Sequence, residues 1–141
     1  MRAAPLLLLL ALAAPANAQD QGHRDYILRC AGCHGMEGKG TEVGGVPAFP
    51  DSIGAIAGFD AGRTYILHVP GVQSASLDEA AIAEVMNYVL RNWSDGTAEP
   101  FTEAEVQARQ DRRVPDIVAA RRDIVLELRA QGIEIASYPW P

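Results

Sequence analysis

The stretch Arg29–Gly35, "RCAGCHG", contains the only two cysteines of the 141-residue chain, and a histidine directly follows the second one. Cysteines at this spacing occur in disulfides, in thiol redox pairs, in zinc sites and at the attachment points of prosthetic groups. The choice among these four determines what the rest of the chain has to build around Cys30, Cys33 and His34.

Three of the four possibilities lack support elsewhere in the sequence. A disulfide between Cys30 and Cys33 would close a very small loop and constrain little of the unfolded chain. A thioredoxin-like redox pair needs a preceding strand in a βαβ unit, but no segment alternates with period two. A structural zinc site needs four ligands, whereas no further cysteine exists and His23 and His68 stand alone in the sequence.

The spacing C-x-x-C-H is the attachment signature of c-type haem. Two thiols on one helical turn can form thioethers with both vinyl groups of one porphyrin, and the next residue then faces the iron. We therefore predict one covalent haem c, with Cys30 and Cys33 as its anchors and His34 as the proximal iron ligand.

The first eighteen residues have the pattern of a secretory signal peptide. Arg2 gives a positive start, Leu6–Ala14 is an apolar run, and Ala16–Ala18 matches a small-x-small cleavage site before Gln19. The apolar run is shorter than the roughly 20 residues that a spanning helix needs. We expect an exported, periplasmic protein with no stable membrane insertion after cleavage.

Charge limits the partners of the mature chain. The precursor has a net charge of −6, and cleavage removes Arg2 and no acid, so the mature charge is −7. Such an acidic protein is not expected to bind nucleic acid or an anionic membrane by charge. A redox protein with a positive docking face is the partner that this charge favours.

Apolar residues recur at helical spacing after the signal, so the predicted fold is all-α. Residues 19–96 are predicted as the haem domain, and residues 97–141 as a C-terminal helical extension. Capping boxes of Ser76 with Glu79 and of Thr102 with Glu105 mark two helix starts, and loops are predicted at Gly35–Gly45 and Pro70–Ser76. The predicted helical segments are Asp20–Cys33, a short turn at Ser52–Ala57, Asp60–Val69, Leu77–Trp93, Thr102 to about Gln110, and Pro115 to Gly132.

The segment Gln21–Trp93 resembles the class I cytochromes c. Gly22 and Tyr26 lie eight and four residues before the first cysteine, where that family has a glycine and an aromatic at the crossing with its last helix. "MNYVLRNW" (Met86–Trp93) is similar to that last helix, with Tyr88 packing on Gly22, and "CHGMEGKGT" is similar to the family's loop after the haem histidine.

The resemblance also implies roles for single residues and for the protein. Pro47 lies where family members have a proline whose carbonyl accepts a hydrogen bond from the proximal histidine, which strengthens that ligand. The implied function is single-electron transfer, to or from a larger dehydrogenase or a respiratory partner.

The sixth iron ligand is the point at which the chain departs from that family. Where the family has Met-Pro, this sequence has Val69-Pro70, and valine cannot bind iron. Three alternatives stay open: His68 moves in, Met86 binds from the last helix, or the iron has no sixth ligand. Met36 is a further candidate but lies only two residues beyond His34, on the proximal side of the ring, and His23 is predicted to face solvent.

The alternatives have different functional consequences. Two protein ligands suit an electron carrier, whereas an open iron would bind small gases or reduce peroxide, with His68 as a distal acid-base residue. The extension either packs on the haem domain or docks a partner through Tyr138 and Trp140. The predicted apolar walls of the haem crevice are Phe49, Ile53, Ile56, Val69, Val72 and Val85.

Overall fold

The computed structural model describes the backbone of residues 16–137 and the side chains of residues 21–137. Within these residues the fold is all-α, as predicted, and contains no β-strand. The predicted signal segment up to residue 15, Tyr138 and Trp140 lie outside the described residues. The helices are α1 (Ala16–Asp25), a π-helical turn (Tyr26–Cys30), α2 (Ala31–His34), α3 (Ile53–Ala57), α4 (Asp60–His68), α5 (Pro70–Gln73), α6 (Glu79–Trp93), α7 (Glu103–Gln110) and α8 (Ile117–Ala130).

Helices α1 and α6 cross at a glycine, as the sequence predicts. A Cβ placed on Gly22 would lie 2.5 Å from the Glu84 carbonyl oxygen and 3.2 Å from Cβ of Tyr88. Only a residue without a side chain allows the two backbones to approach so closely. Next to the crossing, the ring centroid of Tyr26 lies 5.3 Å from that of Tyr88 and 5.1 Å from that of Trp93.

The loop after His34 is tied back to the turn that carries the cysteines. Gly40 donates its amide to the His34 carbonyl at 2.9 Å, and Thr41 and Val46 form an isolated antiparallel bridge. Gly40 has φ +68°, and a Cβ there would collide with the backbone of Val46 and Pro47. The glycine-rich sequence thus folds the loop over His34 and places Pro47 near it.

The predicted start of α6 and the predicted loop before it differ from the structure. Helix α6 is capped by Asp78, whose carboxylate accepts from the Ala81 amide at 2.8 Å, and not by Ser76, which adopts a left-handed φ of +55°. Asp78 is the N-cap because its carboxylate caps a helix as well as the Ser76 hydroxyl would and because it directly precedes the first helical residue, Glu79. The segment predicted as a loop before it contains the short helix α5.

The C-terminal extension packs against residues 19–96, the segment that the sequence predicts to be the haem domain. Phe101, Val106, Ile124 and Leu128 are at most 3 % exposed and belong to the same apolar core as Leu67 and Val89. Thr102 caps α7 as predicted, but Glu105 does not complete the capping box. Its carboxylate instead receives hydrogen bonds from Arg63 at 2.6 and 2.7 Å and from Arg109 at 2.7 Å.

Helix α8 begins slightly later than predicted. Asp116 is its N-cap and accepts from the amides of Val118 and Ala119, so Pro115 precedes the helix and is not part of its first turn. After the helix, Gly132 has φ +77°, the left-handed conformation expected of a residue that ends a helix. Across the described part of the chain, every helix is too short or too polar to span a bilayer.

Candidate cofactor site

Both cysteines and His34 are held on one compact turn. The π-helical turn ends at Cys30, α2 carries Cys33 and His34, and Gly35 ends the helix with φ +73°. The buried hydroxyl of Tyr26 donates to the Gly35 carbonyl at 2.5 Å and fixes this end of the turn. Cys30 is half-buried, Cys33 is exposed, and both are free thiols that line one cavity together with His34.

His34 is placed as a neutral imidazole. Burial lowers its pKa to about 4, and the nearby Pro47 carbonyl opposes this fall only in part. The neutral ring is the form that binds a metal ion. Its plane stacks on Phe49, with 4.0 Å between the ring centroids.

The Nδ1 atom of His34 is buried and has no hydrogen-bond partner among the described residues. The Pro47 carbonyl lies near the ring and raises its pKa, which opposes part of the effect of burial. An unpaired buried nitrogen is costly. The Pro47 carbonyl, which the family resemblance predicts as the partner of the His34 ring, therefore lies next to that ring.

Cys30 lacks the properties of a catalytic thiol. Burial, with smaller effects from the charges of Asp25 and Cys33, raises its pKa to about 11. Thiols that exchange disulfides have lowered pKa values, because the thiolate is the nucleophile. The free thiols of Cys30 and Cys33 instead fit a pair available for thioether formation.

The cavity has a volume of about 360 Å³, within the range of small-molecule and cofactor pockets. Of the predicted walls, Phe49, Ile53, Ile56, Val69 and Val72 line it. Val85 was predicted wrongly, since it is buried in the core and is not among the lining residues. Successive residues on a helix point about 100° apart, and on α6 it is the next residue, Met86, that faces the cavity.

The residues predicted as candidates for the sixth ligand differ in whether they line the cavity. Met86, 5 % exposed, lines the cavity that also contains His34. His68 does not line it: its Nδ1 lies 2.8 Å from the Thr64 carbonyl oxygen and its Nε2 lies 2.7 Å from that of Arg112. Met36 is 51 % exposed, and the exposed His23 stacks on Tyr88.

Helix α8 contributes a wall that the sequence interpretation missed. Ile117, Val118 and Arg121 line the cavity, and Arg121 is only 4 % exposed. A signal for this was present, because Arg121 follows Ile117 by four residues and precedes Ile124 by three. A charged residue therefore occupies the apolar face of α8, which is unusual for a helix that packs on a core.

Comparisons with models of protein families, with characterised proteins and with solved structures found no match to this chain. Among the described residues, no group of three or more His, Cys, Asp or Glu side chains is arranged to hold a metal ion by itself. A function for this protein is therefore argued from the chemistry of Cys30, Cys33 and His34 and from the cavity that they line.

Proposed function

We propose that this protein is a monohaem c-type cytochrome that transfers single electrons. The observation that carries the proposal is that two free thiols and a neutral imidazole from one helical turn line a single apolar cavity. These residues fit the group: Cys30 and Cys33 would hold the porphyrin through thioethers, and His34 would bind the iron. When bound, haem iron supplies one-electron chemistry by alternating between its ferric and ferrous states.

Met86 is the residue that we propose as the sixth ligand. It is the only thioether, and His34 the only imidazole, among the described residues that line the cavity. His34 and Met86 together would leave the iron no open coordination position, and a methionine ligand would raise its reduction potential. Apolar residues from α3, α4 and α5 line the site, and such an environment favours electron transfer with little rearrangement.

A second candidate function is the binding of small gases at a five-coordinate iron. The observation that favours it is Val69, which lines the cavity at the place where the resembling family has its methionine ligand. Peroxide reduction is less well supported than gas binding. The acid-base residue considered for it, His68, has both ring nitrogens on backbone carbonyls away from the cavity.

The proposed setting is the periplasm, on the basis of the signal-like residues 1–18, and the proposed partner is a redox protein. The mature charge of −7 favours a partner with a positive docking face, which would increase the association rate and make it dependent on salt. Electron transfer to such a partner should slow as ionic strength rises, because screening weakens the attraction.

The test is to express the chain with a cytochrome c maturation system and to record ferric and ferrous spectra before and after carbon monoxide is added. One covalent haem, verified by mass, with a low-spin spectrum that carbon monoxide does not change supports the electron carrier. A high-spin iron that binds carbon monoxide supports the second candidate.

Absence of covalent haem would contradict both candidates. Cys30→Ala and Cys33→Ala supply the matched variants, since each should retain at most one thioether. Met36→Ala is the control, because Met36 is exposed in the loop that follows the helical turn, and this variant should bind haem through both thioethers.

A further inference from the structure

One end of the cavity lining is polar and buried, in contrast to its apolar walls. Ser52, Tyr65 and Arg121 line the cavity and are 3 %, 8 % and 4 % exposed. Nη1 of Arg121 lies 3.5 Å from the Tyr65 hydroxyl, and its Nη2 donates to the Ala136 carbonyl at 3.1 Å. The amide of Ala136 donates to the Ser52 hydroxyl at 2.8 Å, so the three side chains form one connected group.

The group consists mainly of hydrogen-bond donors. A guanidinium has five N–H groups and accepts nothing, and its planar fork matches the two oxygens of a carboxylate. The Ser52 hydroxyl accepts from Ala136, and its own proton remains able to donate. A buried positive charge in an otherwise apolar cavity favours an anionic group on the molecule that fills it.

Haem carries such groups, because each porphyrin of this type has two propionate carboxylates. We propose that Arg121, Tyr65 and Ser52 form the carboxylate-binding end of the cavity and hold a haem propionate. This inference rests on the proposed function. It assigns α8, which lies outside the segment that resembles class I cytochromes c, a direct part in binding the cofactor.

The two cations that line the cavity, Arg29 and Arg121, differ in burial. Arg29 is exposed and its charge is screened by solvent, so Arg121 is the lining cation that is buried. The titratable residues among the lining are Arg29, Cys30, Cys33, His34, Tyr65 and Arg121.

The test compares Arg121→Gln with Arg122→Gln in the full-length holoprotein. Both variants remove one positive charge from α8, but Arg122 is exposed and does not line the cavity. The readout is the pH at which the reduction potential becomes pH-dependent, which reports ionisation of a propionate. An opposite charge nearby lowers a carboxyl pKa, so Arg121→Gln should move this pH upward by about 1–3 units, and Arg122→Gln should leave it unchanged.

A second readout is the propionate bending bands in the resonance Raman spectrum, which report hydrogen bonds to the carboxylates directly. Arg121→Gln and Tyr65→Phe should each displace a band, whereas Arg122→Gln should not. If Arg121→Gln yields no holoprotein, Tyr65→Phe decides, because it removes a single hydroxyl: a displaced band supports the proposal and an unchanged band overturns it.

The failure of this inference differs from that of the proposed function. A wild-type protein with covalent haem, whose potential and propionate bands respond alike to Arg121→Gln and Arg122→Gln, overturns only the role of Arg121. A wild-type protein that acquires no covalent haem overturns the cytochrome itself, and the propionate site with it.

Discussion

At the scale of single residues, Met86 and His68 can be distinguished by variants that hardly disturb the fold. Met86→Leu conserves volume and should cost less than about 1.5 kcal/mol of stability. If its thioether binds the iron, this variant should convert the ferric protein to high spin, lower the reduction potential and open the site to carbon monoxide. Optical spectra and potentiometry measure all three.

His68→Gln is the comparison for Met86→Leu. Among the described residues, the ring nitrogens of His68 lie within hydrogen-bond distance of the Thr64 and Arg112 carbonyls and not in the cavity, so its replacement should leave the spectrum unchanged and lower stability by about 1–3 kcal/mol. A changed spectrum in His68→Gln, with a normal one in Met86→Leu, would mean that the segment around Val69 rearranges when haem binds.

Sequence could predict the arrangements that depend on spacing along the chain, and it missed those that depend on tertiary contacts. Cys30, Cys33 and His34 share one turn because of their positions in the chain. The sequence does not exclude His68 as a ligand, because its contact with the Arg112 carbonyl, 44 residues away, has no local signal. Arg121 was overlooked for the same reason, although its place on an apolar helix face was visible.

At the scale of elements, the crossing of α1 and α6 depends on the absence of a side chain at Gly22. Gly22→Ala would place a Cβ 2.5 Å from the Glu84 carbonyl oxygen, and the backbones would have to separate. We expect a loss of about 1–3 kcal/mol in the free energy of unfolding, measured with urea.

Gly32→Ala is the matched control for the crossing. Gly32 lies in α2, and nothing stands within 4 Å of the Cβ that this substitution adds. It should be neutral or slightly stabilising, since alanine favours helix. Equal stability in Gly22→Ala and Gly32→Ala would show that the two helices do not meet as described.

The link between α4 and α7 should make stability depend on pH. The Arg63 guanidinium, and then that of Arg109, hold the pKa of Glu105 below its ordinary value. Because the folded pKa lies below the unfolded one, this stabilisation is fully present above about pH 4.5 and is lost as pH falls through the folded value. Glu105→Gln should therefore lower stability at pH 7 by about 1–3 kcal/mol and reduce its change in acid.

Glu103→Gln is the control for this link, since Glu103 is an exposed acid on the first turn of the same helix. Urea titrations of both variants at pH 7 and in acid make the measurement. A loss in Glu103→Gln as large as in Glu105→Gln would attribute the effect to net charge and not to the contacts with Arg63 and Arg109.

Helix positions were predictable at this scale, and their ends were less so. Apolar spacing located α4, α6, α7 and α8 because each packs one face on the core. The start of α6 was misjudged because Ser76 and Asp78 are both capping residues, and only the left-handed conformation of Ser76 decides between them. The Glu105 carboxylate binds Arg63, 42 residues away, and does not bond back to the Thr102 amide as a capping box requires.

At the scale of the whole molecule, the extension is part of the core and of the cavity wall. Sequence left open whether residues 97–141 pack on the haem domain or dock a partner. Phe101, Val106, Ile124 and Leu128 are almost fully buried in the common core, and Ile117 lines the cavity. Packing therefore accounts for the two helices, while the aromatic residues Tyr138 and Trp140 lie beyond the described part.

Removal of the extension should consequently destabilise the predicted haem domain, residues 19–96. Burying a large apolar side chain contributes about 1.5–3 kcal/mol, so four of them supply much of the roughly 5–15 kcal/mol that stabilises a typical domain. We expect a chain that ends after Gly96 to lose cooperative unfolding. Leu128→Ala in the full chain should cost about 2–5 kcal/mol, while Leu126→Ala, at a position that is 63 % exposed, should cost little. Urea unfolding that is unchanged by truncation and by Leu128→Ala would contradict packing and leave partner docking as the role of the extension.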